Sequence, residues 1–180
     1  LGLYEIDGNK DNNVILHEAP FCHNFSPMLD ARPDVPASER FKALAGTVKS
    51  GLVAFASADG IHWRKLQRDP VLTDGAFDSL NTAFWDSSAG LYRCYSRTFV
   101  QGVRTIQSCV SRDFIHWSRP TPNRYTADAP IEHFYTNATV TCPGAPGLLL
   151  SFQMRFLPDR TRVPEMHEPG VSDAVFLSSH

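Results

Sequence analysis

Ser57-Ala58-Asp59-Gly60-Ile61-His62-Trp63 returns 54 residues later as Ser111-Arg112-Asp113-Phe114-Ile115-His116-Trp117. The copies share the pattern S-x-D-x-I-H-W, five identical positions of seven, tryptophan included. A fixed period decides architecture, because each copy must bury its apolar face against the next. Upstream of the first copy stands Asn24-Phe25-Ser26-Pro27-Met28-Leu29, and upstream of the second Asn81-Thr82-Ala83-Phe84-Trp85. A third start is Asn137-Ala138-Thr139-Val140, so the asparagines are spaced by 57 and 56 residues. The third unit continues as strands from Gly147 to Phe156 and from Ser172 to Ser179. It ends at Phe176-Leu177-Ser178-Ser179-His180, aligned with Phe55-Ala56-Ser57-Ala58-Asp59.

Inside each unit the local pattern is β. Leu91 to Phe99 alternates and is rich in aromatics, Val103 to Val110 forms a second run, and Gln101-Gly102 marks the turn between them. Helical periodicity is weak, and thirteen prolines with eleven glycines suit short strands joined by turns. Arg32 to Arg40 and Leu157 to Gly170 read as loops. Units of this length with about four strands predict β-propeller blades. A β-sandwich, the competing all-β fold, predicts no such repeat. The expectation is one partial all-β propeller domain over residues 1–180, with about three blades. Residues 1–20 are a connector or the end of a preceding blade, 21–74 and 75–128 are blades, and 129–180 is an incomplete one. The chain is then expected to be an excerpt whose partner is the rest of its own propeller.

The repeated turn has a structural reading first. Asp59 and Asp113 are expected to cap tight turns through side-chain-to-backbone hydrogen bonds. Trp63 and Trp117 are expected to pack between neighbouring blades, with His62 and His116 lining the same groove. Cys94 and Cys109 fall on adjacent strands of one hairpin, where they either bridge or stay as buried thiols. Cys22 and Cys142 stand apart, and no C-x-x-C pair points to zinc.

Bulk properties exclude several classes. Of 180 residues, 42% are hydrophobic and 20% charged, an ordinary globular composition. A formal net charge of -2 leaves no basic footprint for nucleic acid or an anionic membrane. No apolar run approaches the roughly 20 residues of a spanning helix. Phosphate-loop, dinucleotide and serine-hydrolase motifs do not occur, and neither does an H-x-x-x-H pair, so no metal or cofactor is expected. The start Leu1-Gly2-Leu3-Tyr4 shows no signal peptide. Compartment stays open, with a periplasmic or secreted location favoured.

The turn over residues 57–63, with Ala83-Phe84-Trp85-Asp86 and Gly90-Leu91-Tyr92-Arg93-Cys94-Tyr95-Ser96, resembles the five-bladed propeller glycosidases. These are the arabinanase, xylosidase, invertase and levansucrase superfamily, glycoside hydrolase families 32, 43, 62 and 68. The opening Leu1 to Asn13 resembles the connector of a bacterial branch labelled family-32 N-terminal-like. This resemblance implies a central funnel with a carboxylate from each of the first three blades, acting on a glycan or glycoside. Hydrolysis needs one carboxyl to protonate the leaving oxygen and another to attack or activate water.

The aligned blade starts hold Asn24, Asn81 and Asn137, which are candidates for binding sugar but not for acid–base work. Carboxylates stand nearby as catalytic candidates: Asp30, Asp78 and Glu132. A hydrolase would place Asp78 and Glu132 in the funnel with carboxyls about 5 to 9 Å apart. Arg97 and Arg155 hold similar places in successive blades, with Lys42 in the counterpart strand. Such cations either ring the funnel and bind hydroxyls or a carboxylate, or lie on a solvated face. His23, His133 and Tyr135 are further candidates for the funnel; Trp85 is a sugar platform or a core residue. His17 and His167 belong to no H-x-x-x-H pair. Glycoside hydrolysis is the first functional expectation. A catalytically inactive propeller that binds carbohydrate or protein is the alternative.

Overall fold

The computed structural model describes residues 1–163, 165 and 169–180, so His167 lies outside the described residues. Three four-stranded antiparallel sheets follow one another along the chain. The first joins β1 (Ser26–Leu29), β2 (Phe41–Thr47), β3 (Gly51–Ser57) and β4 (Arg64–Lys65) in sequence order. The second repeats this with β5 (Thr82–Asp86), β6 (Leu91–Val100), β7 (Val103–Ser111) and β8 (Thr121–Pro122). In the third, β9 (His133–Thr136) and β10 (Thr139–Thr141) both pair with β11 (Leu149–Leu157), which pairs with β12 (Val171–Ser179). A 3-10 turn at Ala37–Glu39 interrupts the first predicted loop.

Ladder registers show which residues are equivalent. Ser57 lies opposite Phe41, Ser111 opposite Tyr92, and Ser179 opposite Leu149. Ser179, not Ser178, therefore corresponds to Ser57, and the sequence alignment of the third unit slips by one residue. In a strand such a slip exchanges the two faces. Packing agrees with the ladder. One face of the first sheet (Ala43, Ala45, Val53, Phe55) covers Leu16, Phe21, Phe25 and Trp63. Its other face (Leu44, Leu52, Ala54) meets Tyr92, Cys94, Cys109 and Phe114 of the second unit, with Trp85 and Trp117 alongside. The second sheet's far face offers Tyr95 and Ile106 to Phe134, Leu149, Val175 and Leu177 of the third. Trp85 thus packs in the first inter-sheet layer, as a core residue.

The repeated turn owes its shape to two side chains. Ser57 Oγ accepts from the backbone N–H groups of Asp59 and Gly60, while Asp59 Oδ1 accepts from those of Ile61 and His62. Trp63 Nε1 donates to the Gly60 carbonyl. The second copy reproduces each bond with Ser111, Asp113 and Trp117. The fourth position needs positive φ: Gly60 has 77°, and Phe114 takes 69° in its place. Phe114 tolerates this because its ring is fully buried between Tyr92 and Trp117. His62 and His116 are turned to solvent, 70% and 86% exposed, and each Nδ1 pairs with its own turn aspartate, Asp59 or Asp113. They do not line the inter-sheet groove, because Nδ1 is drawn back onto its own turn. Cys94 and Cys109 are opposite neighbours on β6 and β7 and are free thiols.

Candidate functional site

Asp30 is almost fully buried at the end of β1. Its Oδ2 accepts from Lys42 Nζ at 2.6 Å and from the Tyr92 hydroxyl at 2.6 Å, and its Oδ1 from the Arg32 N–H. Burial, then the bond to Asp30, pushes the Tyr92 hydroxyl far above its ordinary pKa. The second sheet repeats the arrangement: Asp86 Oδ2 accepts from Arg93 Nε at 2.7 Å, and its Oδ1 from the Ser88 N–H. Lys42 and Arg93 are ladder equivalents, one opposite Ala56 and the other opposite Val110. Asp30 is therefore half of an ion pair that closes the first hairpin of the first sheet and recurs in the second. Burial of its partners leaves it no free oxygen toward a cleft.

The cations are not equivalent across the three sheets. Arg97 lies opposite Ile106, where the first sheet has Gly46 opposite Leu52 and the third has Met154 opposite Ala174. Arg155, opposite Asp173, is one residue further along. Because side chains alternate, Arg97 leans toward the third sheet and Arg155 toward the second.

Two of the candidate carboxylates are held by these arginines. Asp78 Oδ1 accepts from Arg97 Nη2 at 2.5 Å; the arginine is 4% exposed and the aspartate 51%. Glu132 Oε1 accepts from Arg155 Nη1 at 2.7 Å, and Asp173 takes the other edge of the same guanidinium through Nε and Nη2. The bonds to Asp173 and Glu132 raise the Arg155 pKa, and Arg155 holds Asp173 below the ordinary carboxylate range. Asp78 is held by an arginine of the second sheet and Glu132 by one of the third.

A cleft of about 520 Å³ opens beside Asp78. Its walls include Asp74, Arg97, Phe99, Arg104 and Tyr135. Tyr135 from β9 lies under Arg97, whose Cζ is 4.8 Å from the ring centroid. Phe99, half exposed, flanks the same guanidinium at 5.7 Å. His133 stands next door: its Nδ1 accepts from the Arg104 N–H at 3.3 Å, and its ring meets Phe156 edge-on. Sequence reasoning missed Phe99, Arg104 and Asp74. Counting outward from the Gln101-Gly102 turn puts Phe99 opposite Arg104 and finds the pair.

The asparagines knit the sheets together. Asn24, at φ 52°, and Asn81 both donate to the Phe77 carbonyl, from different units. Asn137 donates to the Leu80 and Tyr95 carbonyls and accepts from the Thr82 hydroxyl. Asn81 and Asn137 have no exposed surface. His23 is exposed on the turn before Asn24. A larger cleft of about 950 Å³ between the second and third sheets is lined by Arg93, Tyr125 and Gln153 and, among the described residues, by no Asp or Glu.

No protein-family model matches the chain, and no curated protein matches it. Among solved structures it is similar to an N-acetylgalactosamine deacetylase from F. plautii, in complex with blood group B trisaccharide. That match has 13% identity and a TM-score of 0.58, over 86% of this chain and 49% of the other. A candidate glycoside hydrolase from Parabacteroides distasonis matches at 13% identity and TM-score 0.46, over 74% of this chain and 46% of that one. The chain spans about half the length of each, and its likeness to the deacetylase is one of fold.

Proposed function

We propose that this chain is the glycan-recognising part of a β-propeller protein and that it binds a sugar in the cleft of Asp78, Arg97, Phe99 and Tyr135. The observation that carries the reading is the buried Arg97, clamped between the Asp78 carboxylate and the Tyr135 ring at an open wall. Sugars present apolar C–H faces and hydroxyl edges. An aromatic ring takes the first, and a fixed carboxylate–guanidinium pair takes the second by both accepting and donating. The fold shared with a carbohydrate-active enzyme supports the same reading by analogy.

In this proposal each sheet is a blade, within the units 21–74, 75–128 and 129–180, and a further sheet of the same kind covers the third. Support comes from the packing: both preceding sheets have the corresponding face covered by a neighbour. Calorimetric titration of the full-length protein against an oligosaccharide panel tests the function. Tyr135→Ala is expected to weaken binding by ten- to a hundredfold, the usual worth of a stacked ring with its buried area. Equal affinity in Tyr135→Ala removes the cleft from the function.

Hydrolysis is the second reading, favoured by the half-exposed Asp78 carboxylate at the cleft wall. Glu132 serves as general acid in that reading, with Arg155 releasing it on binding. Glu132→Gln then lowers turnover about 10²- to 10⁴-fold while binding persists. Unchanged turnover on a hydrolysed substrate excludes Glu132 from the chemistry.

A further inference from the structure

We infer that the cleft selects glycans carrying a sugar carboxylate, of the uronic-acid kind, and that Arg104 is the residue that reads it; this rests on the glycan-binding reading above. Three arginines gather around the cleft and the β9 wall. Arg97 is matched by Asp78, and Arg155 by Glu132 with Asp173. Arg104 alone of the three has no carboxylate partner among the described residues.

Its guanidinium is nonetheless held in place. Cζ lies 5.6 Å from the Phe99 centroid, 5.5 Å from Tyr135 and 5.4 Å from Phe156. Nη1 is 3.4 Å from His133 Nδ1, which also faces the Arg104 N–H. Since His133 Nδ1 receives donors here, its proton sits on Nε2. Three rings and an imidazole fix a side chain that otherwise loses much rotamer freedom on binding. Arg104 Nε is buried with no hydrogen-bond partner among the described residues. Buried donors in native structures nearly always have an acceptor, so this one points to a partner that the described residues do not supply. A bland alternative is a surface arginine that merely covers aromatic rings. An arginine in that role does not need to border a cleft.

A uronic acid matches what the cleft offers. Its planar carboxylate suits the fork of a guanidinium, and its hydroxyls suit the Asp74 and Asp78 carboxylates on the other walls. The Arg97–Asp78 pair is internally neutral and Asp74 stands on another wall, so Arg104 is the cation left to face a sugar carboxylate.

The test is titration calorimetry on the full-length protein with trigalacturonate and with galactotriose of the same linkage, at low and high salt. The expected result is an affinity for trigalacturonate at least about tenfold higher, the worth of a hydrogen-bonded charged group. That ratio should shrink with salt and fall close to one in Arg104→Gln. If Arg104→Gln does not fold, Arg104→Lys is read instead, and it should lose most of the ratio because an ammonium cannot fork. A wild-type ratio near one, or a ratio unchanged in the folded variant, overturns the inference while glycan binding at the cleft stands. Binding of neither trimer overturns it too, and insensitivity of every bound sugar to Tyr135→Ala overturns the underlying reading.

Discussion

At the scale of single residues, the side chains that matter most are charged groups denied water. Lys42 and Asp30 are a buried pair, with side chains 1% and 0% exposed. Lys42→Met should leave Asp30 without its counter-charge and cost about 3–5 kcal/mol in urea unfolding. The equivalent Arg93→Met should cost less, because Arg93 is 30% exposed and water can reach the vacated edge. The repeated turns carry a pH signature. Asp59 is held well below the ordinary 3.8 by the His62 ring and then by the N–H groups of His62 and Ile61. At Asp113 partial burial pushes the other way but is outweighed by the His116 ring and the same backbone donors. A depressed carboxylate stabilises the fold above its unfolded pKa, and that contribution is lost as pH falls through the folded value. The double variant Asp59→Asn, Asp113→Asn should therefore flatten the fall of Tm below about pH 4. An unchanged acid limb in thermal melts refutes the assignment.

At the scale of elements, one hairpin pattern is built twice and then varied. Cross-strand pairs Asp30–Lys42 and Asp86–Arg93 close the first hairpin of two sheets, and the third has Cys142 and Leu150 at those places. Gly46 occupies the position that carries Arg97 in the second sheet. Its φ is 148°, and a Cβ there would lie 1.9 Å from the Gly51 carbonyl oxygen. Gly46→Ala should open the end of the β2–β3 hairpin and destabilise by on the order of 3 kcal/mol, seen as faster amide exchange along Gly51–Ser57. Exchange equal to wild type there refutes the close approach as a constraint. Strand positions were legible because the runs around Gln101-Gly102 alternate and the turn fixes the count. The cation ring was not legible: on the ladders Arg155 stands one residue beyond the place of Arg97 and Lys42 four residues before it, and spacing along the chain reveals neither these offsets nor a bulge such as that between Met154 and Arg155.

For the whole molecule, the sheets stack face to face, and the far face of the third is apolar. Phe152 and Phe176 are cross-strand partners, 54% and 59% exposed, with Val140 beside them at 46%. Corresponding positions on the preceding sheets, Leu44 and Tyr95, lie under a neighbouring sheet. If a further sheet covers this face in the full-length protein, Phe152→Glu should cost about 2–4 kcal/mol by burying a charge without a partner. A loss near zero in urea unfolding shows a free face.

The sequence by itself determined the repeat, the strand runs and the turn chemistry, because these depend on local hydrogen bonds and on a period of two. Ser57, Asp59 and Trp63 with their second copies specify the same seven-residue turn wherever it stands. Tertiary structure alone decided which charges meet. Asp78 with Arg97 and Glu132 with Arg155 are partners 19 and 23 residues apart in sequence. Asn24 and Asn81 converge on one carbonyl from separate units. The cleft likewise needs β9 to bring Tyr135 beneath an arginine of β6, and that contact follows from the stacking of whole sheets, which no single strand encodes.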